Sequence, residues 1–360
     1  RTREGGFFLS LKHLKSPPPE LPPARMVSFS VKSFAAGAGA AAICAYAARS
    51  SRHGRGIVRT MASGAGGAAR VPAPVRPVLD SKVKLALCQL PVTADKGENI
   101  ATALSAINEA SAAGAKLVVL PEMWNCPYSN ESFPVYCEDL SLGEAGSPSL
   151  GMMSKAAREN GITLVGGSVP ELRDGKLYNT CCVFGPDGAL LGKHSKVHLF
   201  DINIPGGITF KESDTLTPGS GVTVVDTEVG RLGIGICYDI RFPEYAMLAA
   251  NRGAQILVYP GAFNMVTGPL HWQLLQQARA VDNQCFVAAC SPARDEAGPY
   301  VAYGHSTVVG PFAEIVATTE HAPDIVYADI NLAEINTRRT NMPLEKQRRG
   351  DLYTVVDFGS

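Results

Sequence analysis

The chain has 360 residues, is 46% apolar and 18% charged, and sets 33 Lys and Arg against 33 Asp and Glu. That composition excludes a wholly disordered chain, and no run of eighteen apolar residues is present to cross a membrane as a helix. The zero net charge hides a split of +10 over residues 1–79 and −10 over the rest, and the acidic bulk argues against phosphate-backbone binding to nucleic acid.

Residues 1–80 are rich in Ala, Gly, Ser, Pro and Arg and poor in acids, as in SPPPELPP and ASGAGGAARVPAPVRP. Such segments cannot bury enough apolar surface to offset the entropy of ordering. The acid-free, Arg- and Ser-rich run from Met26 has the pattern of an organelle transit peptide. A secretory signal built on FAAGAGAAAICAYAA, a plain disordered extension, and a cytosolic form starting at Met61 are the other readings. The nine cysteines are odd in number and form no CxxC pair, which points to reduced thiols rather than a disulfide framework. Cys181 and Cys182 project to opposite faces of any strand and form no metal clamp.

From Lys82 the texture changes. KVKLALCQL reads as a strand, NIATALSAINEASAAGA as a helix stopping at Gly114, and KLVVLPE as a fully apolar strand. A helix is predicted near 147–160, then a strand ITLVGGSV and a hairpin KLYNTCCVFGPDGALLGKHSKV turning at GPDG. The strands VTVVDT, RLGIGIC, QILVYP, CFVAACS, GHSTVVGP, AEIVATT and DIVYADI follow, with helices PEYAMLAANRG and GPLHWQLLQQARAVDNQ between them. The alternation predicts an α/β fold of sheets covered by helices, in one domain over 81–360.

Three residues are equipped for chemistry. Cys237 ends GRLGIGIC just before a turn and helix, where free backbone N–H groups can hold an anion and a nearby base can activate a thiol. Glu122 closes a strand too apolar to tolerate an unpaired carboxylate, so it needs a partner or a raised pKa. Lys196 shares one face of GKHSKVHLF with His194 and His198, where its charge can stabilise an oxyanion. Each has a plain alternative: a packed thiol, a surface carboxylate, a solvated basic strand. The histidines show no HxH or HExxH zinc spacing, and a Cys–His pair of Cys237 with His271 or His305 is a further possibility on chemistry alone. Trp124 and Trp272 read as core anchors.

Taken together and in order, PEMW, GKHSKVHLF and GIGICYDIRFPE closely resemble the nitrilase (carbon–nitrogen hydrolase) superfamily over about residues 82–345. The resemblance implies a four-layer αββα sandwich, a Glu122–Lys196–Cys237 triad, no metal, no organic cofactor, and pairing into a homodimer. YNTCCVFGPDG, KVHLFDINIPGGITFKES, YPGAFNMVTGPLHW and RRGDLY are similar to the omega-amidase branch, which acts on the terminal amide of 2-oxoglutaramate or 2-oxosuccinamate. N-carbamoyl amine hydrolases and nitrilases are neighbouring branches, and a silent scaffold is the alternative from another class. The same resemblance makes Glu212 a supporting carboxylate and the Tyr238 backbone N–H an oxyanion donor. It places Tyr128, His198, Arg241, Phe263, Met265 and Thr267 near the substrate, with Arg241 also a candidate for an ion pair holding the nucleophile loop. Gly207 departs from the pattern, which usually has lysine there. With the leader, the resemblance implies a chloroplast protein, with mitochondrion or cytoplasm as alternatives.

Overall fold

Strand β1 (Lys82–Gln89) alternates Leu85 and Leu87 with Ala86 and Cys88, and all four are fully buried. A strand with no wet face belongs inside a layered structure. The computed structural model, which describes residues 81–205, 209–298 and 300–358, places it there. Leu85 and Leu87 pack in one core with Leu117, Val119, Leu232, Ile234 and Ile256. Ala86 and Cys88 face the other way, into a second core with Ala103, Ile107 and Ala110 of helix α1 (Lys96–Ala112).

The first sheet runs in the order β15 (Asp324–Asn331), β1, β2 (Leu117–Val119), β3 (Thr163–Val165), β5 (Lys176–Phe184), β4 (Val169–Arg173), with β6 (Leu190–Ser195) also paired to β5. The second runs β14 (Ile315–Thr318), β13 (Thr307–Val309), β12 (Phe286–Cys290), β11 (Ile256–Pro260), β10 (Gly230–Ile234), β9 (Thr223–Thr227). Strands β1, β2 and β3 are parallel, as are β10, β11 and β12. Helices α1 and α2 (Pro148–Asn160) cover the first sheet through Ile107, Leu150, Met153 and Ala157. Helices α3 (Pro243–Asn251) and α4 (Gly268–Asn283) cover the second through Ala246, Ala249, Trp272 and Ala280. The layers are therefore helix, sheet, sheet, helix, the expected αββα sandwich. Helix α5 (Ala333–Asn341) follows β15.

The boundaries have local causes. Asp95 caps α1 by accepting the Glu98 N–H at 3.0 Å, Pro148 and Pro243 open their helices, and Gly161 ends α2 in the left-handed region. The strand expected over 162–169 breaks instead at Gly166 and Gly167, leaving β3 and β4. Gly167 has φ +62° and lies so close to the chain before Glu122 that an added Cβ would stand 2.1 Å from the Pro121 carbonyl oxygen. The predicted RLGIGIC strand ends at Ile234, which leaves Cys237 in the turn beyond it. A short hairpin of β7 (Asp201–Asn203) and β8 (Thr209–Lys211) was not anticipated, because three-residue strands carry too little periodicity to be read. The leader over 1–80 and the departure at Gly207 lie outside the described residues.

Candidate active site

Glu122, Cys237 and Ala262 all lie just past the C-terminal ends of parallel strands, β2, β10 and β11, where open α/β sheets place their ligands. Hydrogen bonds from the Met123 N–H to Ser168 Oγ (3.0 Å) and from Trp124 Nε1 to the Gly166 carbonyl (2.8 Å) fix the segment carrying Glu122. The Glu122 carboxylate is 1% exposed. Its Oε1 accepts from Lys196 Nζ at 3.0 Å and Asn179 Nδ2 at 2.8 Å, and its Oε2 accepts from the Ala262 N–H at 2.8 Å. The Cys237 thiol is near enough for its charge state and that of Glu122 to depend on each other.

Lys196 follows β6, donates its backbone N–H to the Asn179 carbonyl at 2.8 Å, and is fully buried. Its ammonium bridges Glu122 and Glu212, the latter at 2.9 Å. Glu212 is equally buried and also accepts from the Tyr128 hydroxyl at 2.5 Å and the Phe200 N–H at 2.7 Å. Cys237 is 5% exposed, opens a 3-10 turn through Arg241, and has φ +47°. A side chain held in that region costs on the order of 1–3 kcal/mol and persists only where its surroundings over-determine it. As the second residue of the turn, Tyr238 has its N–H at the end where helical turns leave donors unpaired.

Burial pushes the Glu122 carboxyl above the usual carboxylate range, against the pull of the Lys196 ammonium. Burial and then the Glu122 carboxylate push the Cys237 thiol well up. Burial alone would favour neutral Lys196, but the Glu122 and Glu212 carboxylates outweigh it and hold the ammonium. The arrangement sets a thiol beside a buried carboxylate that also bonds an ammonium. Such a pair can move a proton from sulfur to oxygen as the sulfur attacks.

The structure thus brings Glu122, Lys196, Cys237, Glu212 and Tyr128 together. A cavity reaching Glu122 is lined by Tyr128, Tyr300, Cys126, Ala262 and Asp295. His198, Arg241, Phe263, Met265 and Thr267 are not among the residues lining it, and neither are Cys237 and Lys196. Phe263 packs against Trp272 in the core, Met265 is exposed, and the Thr267 hydroxyl is bound to Asn264 Oδ1 at 3.1 Å. Arg241 has no carboxylate partner among the described residues; its Nη1 meets His271 Nδ1 at 3.1 Å and its guanidinium lies 4.7 Å over the Phe263 ring. In place of the expected ion pair, an imidazole and aromatic faces surround the group. His305 stacks on Tyr303, so neither histidine stands where Glu122 meets the thiol. Trp124 and Trp272 are buried, as expected of anchors.

Asn179, Tyr300 and Asp239 were not singled out in the sequence. Asn179 lies directly beside the lysine strand, a pairing that only the hairpin register reveals. The Tyr300 hydroxyl donates to the carbonyl of Ala262 at 2.5 Å, the residue whose N–H holds Glu122.

The carbon–nitrogen hydrolase family model matches residues 84–340. The chain belongs to the carbon–nitrogen hydrolase family. Within it, the chain is 60% identical over 287 residues to the chloroplastic omega-amidase of Arabidopsis thaliana, covering 80% of this chain and 77% of that one. It is 53% identical over 272 residues to omega-amidase NIT2 of Bos taurus, covering 76% and 97%. Among solved structures, Saccharomyces cerevisiae Nit3, described as a member of branch 10 of the nitrilase superfamily, matches with TM-score 0.71 at 46% identity, over 76% of this chain and 99% of that chain. The carbon–nitrogen hydrolase fold and the sandwich built above are the same architecture.

Proposed function

We propose that this hydrolase is an omega-amidase, converting 2-oxoglutaramate or 2-oxosuccinamate and water to the 2-oxo dicarboxylate and ammonia. The observation that carries the reading is a fully buried Glu122 bonded to Lys196, which Glu212 holds in turn, beside the buried Cys237, in a chain with extensive similarity to omega-amidases. Glu122 takes the thiol proton as sulfur attacks the amide carbon. Lys196 and the Tyr238 N–H hold the oxyanion. Glu122 returns the proton to the leaving nitrogen, ammonia departs, and a thioester remains. Glu122 then activates water, which displaces the sulfur and restores the thiol. Glu212 keeps Lys196 charged and in place. Tyr128 contacts substrate from the cavity wall.

Ammonia release from 2-oxoglutaramate, 2-oxosuccinamate, N-carbamoylputrescine and an aliphatic nitrile tests the branch. Preference for either of the last two overturns the omega-amidase reading and leaves the family standing. Residues 1–80 are a transit leader to the chloroplast in this reading, supported by their basic, acid-poor composition and by the chloroplastic relative. Fusing them to a fluorescent protein and locating it in leaf cells tests that. The hydrolase domain over 81–360 works as a homodimer; an exposed apolar stripe on α4, Leu270, Leu274 and Val281, supports a partner surface, and light scattering reads the mass.

A further inference from the structure

Two residues after Cys237, a buried carboxylate takes no part in the chemistry above. Asp239 is fully buried and accepts four hydrogen bonds. Its Oδ2 takes the Ile236 N–H at 2.9 Å and His194 Nε2 at 3.1 Å; its Oδ1 takes the His198 N–H at 2.9 Å and His198 Nδ1 at 2.8 Å. A carboxylate is an acceptor only, so each imidazole turns an N–H toward it. His194 Nδ1 meets the Thr223 hydroxyl at 3.0 Å.

These bonds join two pieces of chain. The Ile236 N–H to Asp239 Oδ2 bond, with the Asp239 N–H to Ile236 carbonyl bond at 3.0 Å, closes the turn around the positive-φ Cys237. The histidine bonds grip the residues two before and two after Lys196. Accepting from His194 and His198 holds the Asp239 carboxyl well below the usual range, although burial alone would raise it. The ring of His198 lies stacked on Phe242 with centroids 3.6 Å apart.

We propose that Asp239 is a positioning residue that sets the distance between the Tyr238 N–H and Lys196, and that His198 serves it rather than the substrate. The inference rests on the oxyanion assignment proposed above. A misplacement of about 1 Å in such a site costs on the order of a hundredfold in rate. Asp239→Asn keeps the size but turns an amide N–H toward groups that also donate. The expected result is kcat lowered about ten- to a hundredfold with KM within about threefold.

His198 supplies the second test, since its half-exposed side chain is replaced with less risk to folding. His198→Asn keeps an N–H near the Nδ1 position and should hold kcat within about threefold; His198→Leu should lower it about tenfold, KM unchanged in both. A folded Asp239→Asn with wild-type kcat overturns the proposal, as does a KM raised alike by both His198 variants, which marks a substrate contact. Cys237→Ala is assayed in parallel: activity retained there defeats the nucleophile reading, whereas a dead Cys237→Ala beside an unimpaired Asp239→Asn defeats this inference alone.

Discussion

Replacing Lys196 with methionine separates its two roles. Its ammonium stands 3.0 Å from Glu122 and 2.9 Å from Glu212, and all three side chains are fully shielded from solvent. Removing one partner from a buried ion pair costs about 3–5 kcal/mol, because the remaining charge is left uncompensated. Here each carboxylate keeps other donors, Glu122 from Asn179 and the Ala262 N–H, Glu212 from Tyr128 and the Phe200 N–H. The lower end, about 3 kcal/mol, is therefore expected in urea unfolding at unchanged m. Turnover should fall a further, independent amount, about a hundred- to a thousandfold, from loss of an oxyanion donor. Adding Glu212→Gln removes one of the two stranded anions, so the double variant Lys196→Met/Glu212→Gln should regain about half the lost stability and none of the lost kcat. Ammonia release and urea midpoints on the same preparations decide it. A double variant that recovers kcat to within about tenfold of wild type refutes the reasoning, since Lys196 would then act only by neutralising Glu212.

Three further outcomes follow from the same geometry. With Glu122 raised above the usual range mainly by burial, its base form is lost as pH falls through that raised value, so kcat/KM should decline on the acid side with a midpoint above about 4.3. A profile flat down to pH 4 contradicts that, and Glu122→Gln should remove turnover altogether. Iodoacetamide should alkylate Cys237, whose neighbour can take its proton, and the half-exposed Cys137, with substrate protecting only Cys237 in peptide mass spectra. Labelling of both unaffected by substrate argues against Cys237 as the site of attack. Gly261→Ala places a methyl 3.2 Å from both Cys237 Cα and the Trp272 ring, and overpacking there should cost about 1–3 kcal/mol and slow turnover. Wild-type unfolding and kcat in that variant would mean the wall behind the nucleophile yields freely.

Much of this protein was legible in one dimension. KVKLALCQL reads as a strand and unbroken apolar runs such as KLVVLPE mark strands wetted on neither face, and with helices between them they point to covered sheets. Local grammar is equally visible: Asp95 before a helix, Pro148 and Pro243 inside the first turns, GPDG in a hairpin. Glu122 stood out because a carboxylate ending an apolar strand requires a partner, and Cys237 because it precedes a turn. Neither argument could name the partner. Lys196 is 74 residues from Glu122 in sequence, and Ala262 is 140.

Those meetings are decided by the stacking of two sheets whose parallel strands end at one edge, which no local propensity encodes. Tertiary contact also supplied protein partners for residues whose types had suggested the substrate. His198 turns to Asp239 and Phe242, and Arg241 to His271 and Phe263. The formal charge of zero, the positions of the strands and the choice of three candidate reactive side chains belong to the sequence. Which charges are desolvated, which neighbours hold them ionised, and the φ of +47° that aims Cys237 exist only once the sheets pack, since burial and hydrogen-bond geometry are properties of the folded interior.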